Sequence, residues 1–272
     1  MPASLDQIVA ATRRKVAATK SSADMRQLER QAGTHAPRGF RHGLESASRD
    51  GIAVIAELKK TSPSRGLIRP DFNPVSLAEE LETAGAAALS VLTDEEFFQG
   101  SLENLRQASA HSNLPCLRKD FIVDEFQLLE ARANSADAVL LIVAALSQPE
   151  LETLADRASE YELDVLCEVH DEEELQRAVD AGFTSIGVNN RDLRTFKVDL
   201  GAALRLAELI PANVLRVAES GIHSGADIAR LRSARYQAFL IGESLMKAQS
   251  PGEALRGLFA EAERESQTPI RN

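Results

Sequence analysis

Several residue types are scarce in this sequence, and each shortage argues against a class of protein. The chain of 272 residues has no Trp, two Cys and 4% aromatic residues, and its 41 acidic residues outnumber its 31 basic ones. Nucleic-acid-binding proteins gather Lys and Arg on one face, so the net charge of −10 argues against a nucleic-acid partner. Two Cys do not make a dense disulfide framework, and both Cys116 and Cys167 stand in apolar segments, which predicts buried free thiols.

Long apolar segments are missing as well. The longest apolar run, from Ala138 to Leu146, is too short to span a bilayer. Charges are spread over Met1 to Lys20, where a signal peptide would have an apolar core. No heptad pattern marks a coiled-coil interface. We therefore expect a monomer in the cytoplasm, with no membrane partner.

A repeating unit is the strongest structural signal in the chain. Short apolar or β-branched runs alternate with longer amphipathic segments at intervals of roughly 20 to 35 residues, the length of one strand–helix unit. Because the short runs are almost continuously apolar, they are typical of parallel strands covered by helices. The predicted strands are Ala53–Leu58, Ala88–Leu92, Leu114–Arg118, Ala138–Val143, Asp164–Val169, Ser185–Val188, Val214–Ala218 and Ala238–Ile241. The predicted helices include Val75–Ala84, Glu125–Ala133, Pro149–Tyr161, Glu172–Ala181, Leu200–Ile210 and Ala226–Ser233.

Eight such units predict an α/β fold, a (β/α)8 TIM barrel. A doubly wound open sheet is the alternative, but no GxGxxG motif follows the first strand. We expect a single domain over residues 1–272, with the barrel in residues 49–272 and an N-terminal helical extension, or lid, in residues 1–48. Within the extension, Leu5–Thr19 and Ala23–Gln31 are predicted helices and Pro37–Gly43 is a predicted loop.

Charged side chains are concentrated where the predicted strands end, and barrel enzymes place their active sites at the carboxyl ends of the strands. Residues two apart along a strand share a face, so Glu57 faces the same way as Lys59, and Asn189 the same way as Arg191. Taken singly, each charge fits a surface ion pair, but together they predict one charged pocket. The charged residues in question are Glu57, Lys59, Lys119, Glu168, Arg191 and Glu219.

Two glycines predict a phosphate-binding site. Gly221 and Gly242 come just after the seventh and eighth strands, where barrels often bind phosphate through backbone N–H groups. The five His show no HxH or HExxH spacing, and P-loop, GxSxG and dinucleotide motifs are missing, so we expect neither a metal nor a cofactor. His170 and His223 are expected to fill polar loop roles, beside an acidic first helical turn at Asp171–Glu174.

Eight motifs, in order from the first strand to the eighth, resemble the indole-3-glycerol phosphate synthase family. They are AELKKTSPS (56–64), FQGS (98–101), LRKDFI (117–122), LLIV (140–143), EVH (168–170), GVNNRDL (187–193), AESGI (218–222) and LIGESLM (240–246). The resemblance implies a (β/α)8 enzyme of tryptophan biosynthesis that closes the indole ring, with extra N-terminal helices over the catalytic mouth. Its substrate is 1-(2-carboxyphenylamino)-1-deoxyribulose 5-phosphate, and its products are indole-3-glycerol phosphate, CO₂ and water.

The resemblance also implies catalytic roles. Lys119 is expected to be the general acid on the substrate ketone, with a pKa lowered by burial and neighbouring cations. Glu168 is the expected acid–base group, and Lys59 is expected to orient the substrate carboxylate, although the two lysines can exchange roles. Glu57 resembles a carboxylate that orients the lysines. Two further residues, Asn189 and Glu219, are expected to hydrogen-bond the intermediate.

Substrate-binding roles follow from the same resemblance. Arg191 is expected to position the anionic substrate. The side chain of Glu243, which replaces Ser of some relatives, is expected to turn away from the phosphate. The phosphate is expected to rest on Ser62, Ser220, Gly221, Gly242 and Glu243. The aromatic ring is expected to lie against Pro63, Phe98, Phe121, Leu140, Leu193 and Leu240, which also suit a core.

Three alternatives remain on the sequence alone. Another phosphate-binding barrel, such as phosphoribosylanthranilate isomerase or the tryptophan synthase α subunit, would share the glycines after the last two strands. It would not need Lys at the ends of both the first and third strands. A Schiff-base aldolase would use one Lys as a nucleophile. A non-catalytic barrel would only bind an anionic metabolite.

Overall fold

The fold is seen in a computed structural model, which describes residues 3–63, 65–192 and 197–267. The strands are β1 (Ala53–Leu58), β2 (Thr61–Ser62), β3 (Gly66–Leu67), β4 (Ala88–Leu92), β5 (Cys116–Lys119), β6 (Ala138–Ile142), β7 (Asp164–Val169), β8 (Ser185–Asn189), β9 (Leu215–Glu219) and β10 (Ala238–Ile241). The helices are α1 (Leu5–Ser22), α2 (Met25–Ala32), α3 (Phe40–Asp50), α4 (Pro74–Thr83), α5 (Leu102–Ala110), α6 (Phe126–Ala133), α7 (Gln148–Glu160), α8 (Glu172–Asp180), α9 (Gly201–Leu206), α10 (Gly225–Ser233), α11 (Glu243–Lys247) and α12 (Pro251–Gln267), with a 3₁₀ turn at Val143–Ala145.

The large strands close into a barrel. Their order around it is β1-β10-β9-β8-β7-β6-β5-β4, and every neighbouring pair is parallel. The predicted (β/α)8 TIM barrel is therefore confirmed, and the open sheet is excluded. The small antiparallel pair β2–β3, which we did not predict, follows β1 at the carboxyl end of the barrel.

Alternation along the strands sorts the side chains into two cores. Ala53 and Ile55 of β1 face the lumen, whereas Val54 and Ala56 pack against the outer helices. In four strands the lumen-facing row passes from an apolar residue directly to a charged one at the carboxyl end. These rows are Ile55 then Glu57, Leu117 then Lys119, Leu166 then Glu168, and Val217 then Glu219.

Local sequence signals set several helix ends. Ser147 forms a capping box with Glu150 at the start of α7, and the Asp171 side chain accepts the N–H of Glu174 in the first turn of α8. Gly85 and Gly182 follow α4 and α8 with φ of 95° and 77°, a conformation that favours glycine after a helix. Cys116, like Cys167, is a buried free thiol, as predicted.

The N-terminal segment touches both ends of the barrel. α1 lies at the mouth, where Leu5 and Ile8 line the cavity described below. The predicted loop Pro37–Gly43 is wrong from Phe40 onward, because α3 begins there. Phe40 and Leu44, one helical turn apart, are fully buried in the lumen core at the base of the barrel, and this burial favours a helix over the predicted loop. α3 runs across the expected boundary at residue 48.

Among the described residues, no helix is both long and apolar enough to cross a membrane.

Candidate active site

A cavity of about 230 Å³ opens at the carboxyl ends of the barrel strands. Leu193, which we expected in the apolar wall, lies outside the described residues. The structure brings the other expected site residues together on the cavity wall: Glu57, Lys59, Ser62, Pro63, Phe98, Lys119, Phe121, Leu140, Glu168, Asn189, Arg191, Glu219, Ser220, Gly221, Leu240, Gly242 and Glu243.

Lys119 lies at the centre of the charged part of the cavity. Its Nζ is 3.2 Å from Glu168 Oε2 and 3.7 Å from Glu219 Oε2. Burial lowers the pKa of Lys119, but the negative charges of Glu168, Glu219 and Glu57 outweigh burial, and the net pKa is raised. The expected lowering by neighbouring cations is therefore wrong, because the neighbours that face this ammonium are carboxylates. Lys119 is a cation at neutral pH and has a proton to donate.

Glu168 and Glu219 face the same ammonium but differ in protonation. Burial disfavours charge on Glu168, yet Lys119 and His170 outweigh it and hold the pKa of Glu168 well below its ordinary value. Burial and the negative charge of Glu168 raise the pKa of Glu219 to about 8. At neutral pH Glu168 is therefore a carboxylate, and Glu219 holds a proton.

Lys59 forms an ion pair with Glu57, its neighbour on the same face of β1. Glu57 is 5% exposed, and burial alone would raise its pKa, but Lys59 and Lys119 together lower it. Gly242 makes room for this carboxylate, because a Cβ there would lie 2.9 Å from the Cβ of Glu57 and would overlap its Oε1. Glycine at position 242 thus leaves the space that the Glu57 carboxylate fills in the charged cluster.

The expected phosphate region combines unusual backbone with charge. Ser220 and Gly221 both have left-handed backbone, with φ of 64° and 77°, so the chain turns sharply after β9. Gly242 is the N-cap residue of the short helix α11. The carboxylate of Glu243 forms ion pairs with neighbouring side chains, among them Lys247 Nζ at 2.6 Å and Arg65 Nε at 3.2 Å.

Apolar residues line the rest of the cavity. The rings of Phe98 and Phe121 lie 6.3 Å apart at an interplanar angle of 38°. Leu140 and Leu240 are buried members of the lumen core and form its floor, so they are core residues as well as lining residues. Metal-binding groups of three or more His, Cys, Asp or Glu are not found among the described residues.

Sequence reasoning missed some residues near the site. The apolar side of α1 was a visible signal for Leu5 and Ile8, but nothing local shows which surface that side covers. His170 was expected to fill a polar loop role, but its ring lies between the carboxylates of Glu168 and Glu174 and so contacts the site directly. Its place two residues after Glu168, just past the end of β7, was the available signal. The other unexpected lining residues include Ala3, Arg65, Leu92, Ile142, Val198 and His223.

Comparisons with known proteins agree with the sequence motifs. The family model for indole-3-glycerol phosphate synthase matches residues 5–258. A relative named indole-3-glycerol phosphate synthase from Koribacter versatilis (strain Ellin345) is 61% identical over 259 residues, covering 95% of this chain and 100% of the relative. Relatives of the same name from Acinetobacter baumannii (strain ACICU) and Burkholderia vietnamiensis (strain G4 / LMG 22486) are 48% and 46% identical, each covering 94% of this chain and 96% and 98% of the relative.

Solved structures with low identity share the barrel fold alone. Thiamine phosphate pyrophosphorylase from Pyrococcus furiosus is 17% identical with a TM-score of 0.58, over 79% of this chain and 96% of that one. KGPDC from Streptococcus mutans is 13% identical with a TM-score of 0.61, over 78% and 98%. The long family match and the high identity of full-length relatives decide the classification: the chain belongs to the indole-3-glycerol phosphate synthase family.

Proposed function

We propose that this cavity closes the indole ring through the charged cluster around Lys119. The family identifies the chain as an indole-3-glycerol phosphate synthase, a decarboxylating lyase of tryptophan biosynthesis with a small phosphorylated substrate. The substrate is 1-(2-carboxyphenylamino)-1-deoxyribulose 5-phosphate. The observation that carries the assignment of roles is the position of the Lys119 ammonium, 3.2 Å from Glu168 and 3.7 Å from Glu219, between two carboxyl groups whose pKa values are shifted in opposite directions.

Lys119 acts first, as the general acid of ring closure. When the aromatic carbon that bears the carboxylate attacks the ketone carbon, negative charge develops on the ketone oxygen. A buried ammonium donates a proton to that oxygen, and its raised pKa keeps the proton available at neutral pH. The ring carboxylate then leaves as CO₂, and its bonding electrons restore the conjugation of the ring.

Dehydration completes the reaction. The hydroxyl formed from the ketone leaves as water after accepting a proton, and a second proton is lost to form the indole double bond. Glu168 is ionised and takes up the proton that is lost. Glu219 and Asn189 hydrogen-bond the intermediate, and Glu219, which still holds its proton after ring closure, supplies the proton to the leaving hydroxyl.

Substrate recognition uses the remaining cavity residues. Lys59, held by Glu57, orients the substrate carboxylate, and Arg191 contributes a second cation. The aromatic ring of the substrate lies against Phe98 and Phe121. The phosphate is held by Ser62, Ser220 and the backbone at Gly221, Gly242 and Glu243, where the backbone turns and a short helix begins.

The N-terminal helices act as a lid on a single domain. Leu5 and Ile8 of α1 border the cavity, and exposed ion pairs attach α1 to the barrel. We further propose a cytoplasmic monomer that works without a metal, a cofactor or a nucleic-acid partner. The ion pairs of α1 are Arg13–Glu150, Lys15–Glu95 and Lys20–Asp124.

The test is turnover of the carboxyphenylamino-deoxyribulose phosphate, followed by indole fluorescence. The chain has no Trp, so the protein background is low. Lys119→Ala is expected to lower kcat about 10²- to 10⁴-fold, the usual contribution of a general acid. Lys60→Ala is the matched control, because Lys60 does not line the cavity.

Three outcomes contradict the proposal. The first is a parent chain without turnover, and the second is a Lys119→Ala variant as active as the parent. The third is borohydride trapping of a carbonyl substrate on Lys119, which indicates a Schiff-base aldolase.

A further inference from the structure

A second cationic group reaches Glu168 from outside the cavity. The two carboxylate oxygens of Glu168 face different cations: Oε2 lies 3.2 Å from Lys119 Nζ, and Oε1 lies 3.4 Å from His170 Nε2. The His170 side chain is 11% exposed. Its buried Nε2 has no hydrogen-bond partner in the described part of the chain. The ion pair with Glu168 is therefore the polar interaction that this nitrogen makes.

The imidazole of His170 is clamped on its other side. Its Nδ1 lies 2.9 Å from Glu174 Oε2, and the same oxygen accepts the backbone N–H of His170 at 2.8 Å. Glu174 stands in the first turn of α8, where its own N–H donates to the N-cap residue Asp171 at 2.9 Å. The helix start therefore fixes Glu174, Glu174 fixes the ring, and the ring presents Nε2 to Glu168.

His170 is a cation in this position. Burial lowers the pKa of His170, but Glu168 and Glu174 outweigh burial and raise it to about 10. Other charged groups that face the two site carboxylates are Lys119 and Glu57. Lys119 serves both carboxylates, although its Nζ lies nearer Glu168, at 3.2 Å, than Glu219, at 3.7 Å.

The imidazolium adds to this difference. His170 Nε2 lies 3.4 Å from Glu168 Oε1, and among the described residues His170 forms no ion pair with Glu219. We propose that His170 is a positioning residue whose ring is held in place by Glu174. The positive charge of His170 keeps Glu168 ionised as the base, so the proton of the Glu168–Glu219 pair stays on Glu219. This inference rests on the proposed function and adds the device that assigns the two carboxylates their different tasks.

Two neutral substitutions test it. His170→Asn keeps a donor near the position of Nδ1, and His170→Gln keeps one near that of Nε2, but neither carries a charge. In both variants the acid limb of the pH profile of kcat/KM is expected to move up by about one pH unit or more, with about a tenfold loss of kcat/KM at a fixed pH on that limb and little change in KM. Glu174→Gln is expected to move the limb in the same direction by less.

Glu173→Gln is the matched control, because Glu173 lies in the same helical turn but is exposed. It is expected to leave the profile unchanged. The inference is overturned if the His170 variants fold and keep the acid limb of the parent, even when kcat falls, because a merely structural role lowers the rate without moving the limb.

A second measurement does not depend on activity. The ¹⁵N signals of the His170 ring are assigned by their loss in His170→Asn. The parent is expected to show an imidazolium at pH 7.5. In Glu168→Gln the ring is expected to lose its proton at a lower pH than in the parent. A neutral ring in the parent at pH 7.5 overturns the inference whatever the enzyme does. Failure of the parent to turn over substrate overturns the proposed function instead, and the ring spectrum still decides the charge of His170.

Discussion

Gly187 is the most informative position for substitution, because it makes room for Glu219. Gly187 lies on β8, next to β9, and it pairs with Val217, two residues before Glu219. A Cβ at position 187 would overlap Glu219 Oε1 and would lie 3.1 Å from its Cδ and 3.3 Å from Leu166 Cδ1. Ordinary contacts of a Cβ are 3.4–4 Å, so Gly187→Ala forces the Glu219 carboxyl group to move.

The size of the effect follows from that displacement. Relieving the overlap requires a shift of the carboxyl oxygen on the order of 1 Å, and a misplacement of this size costs about 10²-fold in kcat. Overpacking a well-packed site lowers the stability by about 1–3 kcal/mol. Replacing Gly by Ala also reduces the conformational entropy of the unfolded chain, which offsets about 0.4–1 kcal/mol of that loss. We therefore expect a folded Gly187→Ala protein that is less stable by about 1–2 kcal/mol.

The assay combines steady-state kinetics with urea unfolding. Gly257→Ala is the control, because a Cβ there meets nothing within 4 Å and α12 gains a better helix former. The double variant Gly187→Ala/Glu219→Asp shortens the side chain and is expected to lose less activity than the two single losses combined. A Gly187→Ala enzyme with kcat within twofold of the parent would refute the reasoning.

Three other predictions concern stability. Asp137→Asn is expected to cost about 3–5 kcal/mol in urea unfolding, because it leaves Arg38, bound to Asp137 at 2.7 Å, without its buried carboxylate. His170 has its pKa raised from 6.5 to about 10, so its contribution to stability is complete below pH 6.5 and is lost as the pH rises towards 10; His170→Asn should flatten the dependence of unfolding free energy on pH in this window. Lys20→Gln is expected to cost at most about 1 kcal/mol, since its ion pair with Asp124 is exposed, and the difference should shrink in high salt.

Strand positions and the location of the cavity were readable from the sequence. Among the barrel strands, β1, β4, β7 and β10 have the predicted bounds, and the other four differ by one or two residues at one or both ends. Such agreement is expected, because burial on both faces leaves a continuous apolar run in the sequence. The same alternation that puts Ile55 in the lumen puts Glu57 there too, so side-chain parity also brought the charged residues to one cavity.

Local pattern was a poorer guide where burial comes from distant parts of the chain. Phe40 begins a helix after Gly39 because the base of the barrel buries its ring, and that surface is built from strands far along the sequence. The covering of the cavity by Leu5 and Ile8 has the same origin. Propensity cannot show which surface an apolar face meets.

Protonation states depended on the tertiary structure most of all. The residue types at positions 119, 168 and 219 were enough to predict acid–base chemistry, but the pKa of Lys119 shifts in the opposite direction from our expectation. The energy between two charges depends on their separation in space and on their exposure to water. Residues 49 positions apart, Lys119 and Glu168, lie 3.2 Å from each other. The sequence alone therefore supplied the fold and the charged residues that line the cavity, whereas the distances made by barrel closure decided which group holds a proton.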